Sequence, residues 1–125
     1  MKLFTVEEAN ALLPTVGRVV GAIQRAYSFV TASQEAARHA SEGAQLGGGG
    51  MAGGTKYVKT LYNLAENAGQ LEALGVQLKD YERGLIDFPS MREGQVVLLC
   101  WQSGEGDRIE WWHDLESGFS GRQPL

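Results

Sequence analysis

Hydrophobic residues near the start of the chain recur at helical spacing. The intervals between them alternate between four and three residues, which is the heptad pattern of a coiled-coil seam. This pattern predicts one long helix over residues 5 to about 41. Thr5 and Glu8 have the spacing of a capping box at its start, and Pro14 predicts a kink because proline has no amide proton to donate. The seam consists of Ala9, Leu13, Val16, Val20, Ile23, Tyr27 and Val30.

A second stretch with the same alternating intervals predicts a helix over residues 55 to 74, and Gly75 suits its end. Between the two helices, residues 42–54 are rich in glycine. Glycine loses much backbone entropy in a helix, so this segment is expected to be a flexible connector. The two helices should then pack as an antiparallel hairpin. Its expected core residues are Leu13, Val16, Val20, Ile23, Leu61, Leu64 and Leu71.

The rest of the chain has short apolar runs separated by turn residues, which is typical of strands. Strands are predicted at residues 76–79, 85–88, 95–102 and 108–113. Pro89 is expected to end the second of them, because proline cannot donate to a strand ladder. The chain is therefore predicted to be one α+β domain, residues 1–125, with a long antiparallel two-helix hairpin followed by a small antiparallel sheet. The β-region covers residues 76–113, and residues 114–125 form a C-terminal tail.

Both faces of the last predicted β-hairpin are apolar. Since side chains alternate along a strand, Cys100 and Trp101 lie on opposite faces, as do Trp111 and Trp112. A two-helix hairpin covers only one face of a small sheet. The other face is therefore expected to meet a second copy of the chain, the C-terminal tail or a ligand. The expected partner is a second copy of the chain, in a homodimer formed through this tryptophan-rich face or through the helices.

The composition narrows the classes of function. The chain has 125 residues, 43% of them hydrophobic and 21% charged, as in one ordinary globular domain. Its net charge of -4 repels phosphate backbones, so no nucleic-acid partner is expected. No apolar run approaches the ~18 residues of a membrane span, and the first residues lack the apolar stretch of a signal peptide. With a single cysteine, these features predict a cytoplasmic protein with neither a membrane partner nor an internal disulfide.

Two apparent motifs are not expected to carry chemistry. Gly48, Gly50 and Gly53 have the spacing of a dinucleotide-binding motif, but that motif follows a strand and this one follows a helix. A hairpin that turns at residues 103–107 pairs Cys100 with Ile109. The residue that pairs with His113 is then about 13 Å from Cys100 along the same strand, which is too far for a hydrogen bond between the two side chains. Cys100 is therefore expected to be a small buried hydrophobic residue, and not a nucleophile with His113 as its base.

The candidate chemistry lies around His113, which ends the last predicted strand among several carboxylates. An imidazole with carboxylates can hold a divalent metal ion, and the candidate ligands are His113, Glu116, Asp80 and Asp87. Two structural alternatives stay open for His113, a hydrogen bond to the backbone or a pair with a carboxylate. Arg122 is a candidate ligand-binding residue for an anion. Its alternative role is a salt bridge that holds the tail against the acidic hairpin.

Five blocks of the sequence resemble a prokaryotic domain-of-unknown-function family, number 2203. The blocks occur in order at residues 7–14 (EEANALLP), 75–80 (GVQLKD), 84–89 (GLIDFP), 98–101 (LLCW) and 112–125 (WHDLESGFSGRQPL). All the candidate site residues lie within them. The resemblance implies a small bacterial cytosolic protein, and it brings no reaction with it.

Two hypotheses of function follow from the sequence. One is a homo-oligomeric interaction or scaffold module, which predicts a metal-free homodimer. The other is a protein that binds a metal or a small anionic ligand around His113, or an enzyme built on such a site. The sequence does not decide whether the chain is an enzyme.

Overall fold

The computed structural model of the chain describes residues 1–42 and 50–125. Within these residues, helices α1 (Val6–Glu42) and α2 (Gly50–Leu74) precede an antiparallel sheet, which confirms the predicted α+β class. The predicted flexible connector falls largely on residues 43–49, outside the described part of the chain. In the described residues, neither helix has an apolar stretch able to cross a bilayer. The strands are β1 (Gln77–Asp80), β2 (Leu85–Arg92), β3 (Gln95–Gln102), β4 (Trp111–His113) and β5 (Gln123–Pro124).

The start of α1 matches the sequence-based prediction, whereas the start of α2 does not. The Thr5 amide donates to the Glu8 carboxylate at 2.8 Å, and the Glu8 amide donates to the Thr5 hydroxyl at 3.0 Å. This capping box confirms the prediction, and the kink expected at Pro14 stays a prediction. α2 begins at Gly50, so the prediction that the connector continues to residue 54 was wrong. Extending an existing helix adds one hydrogen bond per residue, which offsets the cost of a glycine, about 1 kcal/mol.

Five residues of the α1 seam belong to the central hydrophobic cluster, and Leu71 of α2 joins them; Tyr27 and Val30 lie outside this cluster. The five are Ala9, Leu13, Val16, Val20 and Ile23. Leu61, however, is 39% exposed, so its assignment to the core was wrong. Leu64 and Leu71 lie in the less exposed stripe of α2, as predicted, whereas Leu61 lies on a neighbouring face of the helix. This inner stripe consists of Tyr57, Thr60, Leu64, Asn67, Ala68, Leu71 and Leu74.

The sheet has the order β1-β2-β3-β4-β5, and every neighbouring pair is antiparallel. One face packs on the helices through Ile86, Phe88, Leu99 and Trp101, which belong to the same buried cluster as the α1 seam. The ring of Phe4 meets that of Phe88 edge to face at 5.3 Å. We call this the helix face of the sheet and the opposite one the tail face.

β2 continues through Pro89 to Arg92, so the prediction that Pro89 ends the strand was wrong. The Pro89 carbonyl accepts a hydrogen bond from the Phe4 amide at 2.7 Å. In a strand, the nitrogen and carbonyl of one residue point to the same side. The nitrogen of Pro89 therefore points away from β3, and its missing proton removes no bond from the β2–β3 ladder.

The C-terminal tail is part of the sheet. β5 pairs with Trp111 and Trp112 of β4, and the Arg122 guanidinium lies over the Trp111 ring at 4.8 Å. The strand register places Trp111 on the tail face, since it pairs directly with Cys100. The tail, one of the three occupants expected for the second face, therefore lies there.

Candidate metal centre

Three buried side chains of different chemistry meet on the tail face. The register pairs Asp87 of β2 with Cys100 of β3, and it pairs Leu98 with His113 of β4. Directly paired residues share a face, and so do residues two apart on one strand. Asp87, Cys100 and His113 therefore point the same way. One ligand atom from each lies within 4.8 Å of the other two, and all three residues are buried.

The register predicted for the last hairpin was wrong by two residues. Cys100 pairs with Trp111 and not with Ile109. The cause lies in α1, where the Asn10 side chain accepts the Ile109 amide at 2.7 Å and holds that segment outside the ladder. β4 therefore begins only at Trp111. The shift brings His113 diagonally beside Cys100, so Cys100 is not merely a small hydrophobic residue of the core.

The hydrogen bonds of His113 determine where its protons lie. Nδ1 is 2.7 Å from the Asp114 carbonyl oxygen, and Nε2 is 3.1 Å from Asp87 Oδ1. Because a carbonyl can only accept, Nδ1 carries a proton. A second proton lies between Nε2 and Oδ1, since two lone pairs would repel each other at that distance. Both structural alternatives for His113, the backbone bond and the carboxylate pair, are therefore realised together.

Burial dominates the electrostatics of Asp87 and Cys100. It raises the pKa of Asp87 above its usual value, against the opposing effects of His113 and Lys79. Burial, with the charge of Asp87, raises the pKa of Cys100 to about 12. The thiol is therefore protonated at neutral pH and donates to Asp87, which makes it a poor nucleophile by itself. Besides the Nδ1 proton, the cluster thus holds two protons at its centre, one on sulfur and one between His113 and Asp87.

Arg122 anchors the tail beside this cluster. Its guanidinium donates two hydrogen bonds to Glu105, at 3.0 and 2.7 Å. It also stacks on Phe119 at 4.2 Å and reaches Cys100 Sγ at 3.9 Å. The pair with Glu105 raises the pKa of Arg122 above its usual value, although burial opposes this. The salt bridge from tail to hairpin is thus present, and Glu105 occupies the guanidinium that was also a candidate for an anionic ligand.

The other two candidate ligands lie elsewhere. Asp80 Oδ1 accepts the backbone amides of Glu82 and Arg83 at 2.9 and 2.8 Å, so it closes the turn between β1 and β2. Glu116 is exposed. Of the four predicted metal ligands, the structure therefore brings only Asp87 and His113 together. Their third neighbour is Cys100, and Asp80 and Glu116 are not part of the cluster. The strand alternation that puts Cys100 and His113 on one face was the available signal in the sequence.

Comparisons with known proteins agree with the resemblance noted above. The family described as an uncharacterized conserved protein, DUF2203, matches residues 2–125. No curated protein and no solved structure matches the chain. Since the match spans almost the whole chain, including the cluster on the tail face, the protein belongs to the DUF2203 family of uncharacterized conserved proteins.

Proposed function

We propose that this protein binds one divalent transition-metal ion, of the zinc class, through Cys100 Sγ, His113 Nε2 and the Asp87 carboxylate. The observation that carries the proposal is the meeting of a thiol, an imidazole and a carboxylate within 4.8 Å in a buried place. Sulfur, nitrogen and oxygen ligands of these types are those that zinc takes in proteins.

The distances and the orientation of the imidazole support this proposal. Zinc lies about 2.0–2.2 Å from nitrogen and oxygen ligands, so two such ligands in a tetrahedral site are roughly 3.3 Å apart. Nε2 and Oδ1 are separated by 3.1 Å. The Nδ1 proton of His113 is donated to the Asp114 carbonyl. That is the usual outer bond of a metal-binding histidine, and it leaves Nε2 as the ligand atom.

The charge balance of the cluster also favours a divalent ion. Without metal, the thiol proton and the proton between His113 and Asp87 keep the cluster neutral. One divalent ion replaces both protons, and the thiolate and the carboxylate then balance its charge. The buried site therefore stays neutral in both states, which avoids the cost of an uncompensated buried charge. Arg122, at 3.9 Å from Sγ, supplies a positive group next to the thiolate.

Titration with Co²⁺ and Zn²⁺ tests the proposal on chelator-treated full-length protein. We expect one ion per chain, with a thiolate-to-cobalt charge-transfer band. Calorimetry in buffers of different ionisation enthalpy should report release of about two protons per ion. Zinc at about 100 times its dissociation constant should add about 2.7 kcal/mol to the free energy of unfolding.

Cys100→Ala should abolish the charge-transfer band, and Asp87→Asn should weaken binding at least about tenfold. The matched controls are Glu116→Gln, an exposed carboxylate, and His39→Ala, an exposed histidine; both should bind like the wild type. Circular dichroism establishes that each variant is folded. The proposal is refuted if the wild type takes up less than half an ion per chain, or if Cys100→Ala retains the band.

A further inference from the structure

α2 carries a second apolar stripe that the fold does not use. Val58, Leu61 and Tyr62 are 64%, 39% and 71% exposed, and Ala65 is exposed beside them. Their spacing of three or four residues puts them on one face of the helix over about two turns. The inner stripe, from Tyr57 to Leu74, lies on a different side. No other described segment of the chain covers this outer stripe.

We propose that the outer stripe of α2 is the contact by which two copies of this chain form an antiparallel homodimer. A helix that is apolar on two sides has one side for its own fold and one for a partner. Ala65, and Gly69 one turn further, have little or no side chain, so the backbones of two helices can approach closely there. This surface would give the homodimer expected from the sequence a specific site, independent of the metal centre.

The charges beside the stripe favour a second copy in antiparallel orientation. Lys59 and Glu66 are seven residues apart, about two turns, and lie on the same flank of the stripe. In an antiparallel pair related by a twofold axis, the same flank of each helix faces its equivalent. Lys59 of one copy then meets Glu66 of the other, and the contact occurs twice. Neither residue forms an ion pair within the described part of the chain.

The contact is small compared with a stable dimer interface, which buries roughly 800 Å² on each partner. We therefore expect a reversible dimer that forms at about 10–100 µM chain. Sedimentation velocity of the full-length protein, from about 1 to 300 µM, measures this directly. The experiment is run with chelator and again with excess Zn²⁺, and the dimer should form in both.

Tyr62→Glu places a charge at the centre of the stripe and should raise the dimer dissociation constant at least about tenfold. Met91→Glu is the matched control, because Met91 is an exposed hydrophobic residue on β2, and it should leave the dimer unchanged. Lys59→Glu and Glu66→Lys should each weaken the dimer, whereas the double variant should restore it.

Three results would each overturn the proposal. The first is a wild-type chain that remains monomeric at every concentration. The second is a dimer that Tyr62→Glu leaves intact while circular dichroism shows both proteins folded. The third is a pair of charge reversals whose combination is weaker than either single variant, which would exclude the antiparallel pairing of Lys59 with Glu66.

Discussion

Replacing Arg122 with alanine should loosen the tail from the sheet. The substitution removes a two-pronged, partly buried ion pair with Glu105 and the stacking contacts with Trp111 and Phe119. The ion pair contributes about 1 kcal/mol, and each stacking contact about 0.5–1 kcal/mol. Together they predict that the free energy of unfolding falls by roughly 2–3 kcal/mol.

Urea unfolding of metal-free wild type and Arg122→Ala measures this loss. The matched control is Arg92→Ala, because Arg92 stacks on Trp112 at 4.8 Å and has no ion pair among the described residues. The free energy of unfolding of Arg92→Ala should fall by only about 0.5–1 kcal/mol. Equal losses in the two variants would refute the conclusion that the ion pair and the second ring hold the tail in place.

The pH dependence of that loss gives a second measurement. Burial would raise the pKa of Glu105, but the hydrogen bonds from Arg122 and the Gln102 amide, with the positive charge nearby, hold it below 4.5. A carboxylate with a lowered pKa stabilises the fold at neutral pH and loses this effect as pH falls through the folded-state value. The difference between wild type and Arg122→Ala should therefore shrink below about pH 4. A difference that is constant from pH 7 to about pH 3 would contradict the role of the Glu105 charge.

Two further changes test the turn and the thiol. Gly84→Ala should cost about 2–4 kcal/mol, because Gly84 has φ +67° and an added Cβ would lie 2.8 Å from Gln24 and Ser103. Gly94 has φ +78°, and an added Cβ would meet no atom within 4 Å. Gly94→Ala should therefore cost only about 1–2 kcal/mol in the same urea assay. Equal costs in the two variants would exclude a contribution from the steric contacts at Gly84. The Cys100 thiol has a pKa raised from 9.0 to about 12, so the folded state keeps a proton that the unfolded chain loses above pH 9. Relative to Cys100→Ala, the wild type should lose up to about 1.4 kcal/mol per pH unit above pH 9, and parallel stability curves from pH 8 to about pH 10.5 would contradict this assignment.

Local signals in the sequence predicted most of the elements. The Thr5–Glu8 capping box is confirmed, and β3 has the predicted bounds, because both depend on residues close together in the chain. The assignment of Leu61 to the core was wrong for a physical reason. α2 has two adjacent apolar stripes, and a period near 3.5 fits either of them. Which stripe faces α1 depends on the packing of the whole hairpin, so the pattern of α2 alone could not decide it.

The candidate site depended on contacts between distant parts of the chain. The register of β3 and β4 is set by the bond from the Ile109 amide to Asn10, which are 99 residues apart. The sequence-based register assumed a turn at residues 103–107, with pairing from residue 108 onward, and therefore separated Cys100 from His113. Asp87 and His113 were candidates because both are ionisable and near predicted strand ends. Their direct contact, however, required the order of the strands, which no local pattern specifies.

The position of the cluster follows from how the two faces of the sheet are covered. Two amphipathic helices supply a continuous apolar layer for the helix face. The tail covers the other face with Arg122 and Phe119, and polar groups there can find partners. A buried carboxylate–imidazole pair is a weak source of stability, because the cost of removing both groups from water cancels much of their attraction. Apolar side chains in place of Asp87 and His113 would cover β3 without the cost of removing charged or polar groups from water. The proposed metal binding would give these two side chains, together with Cys100, a role that stability does not supply.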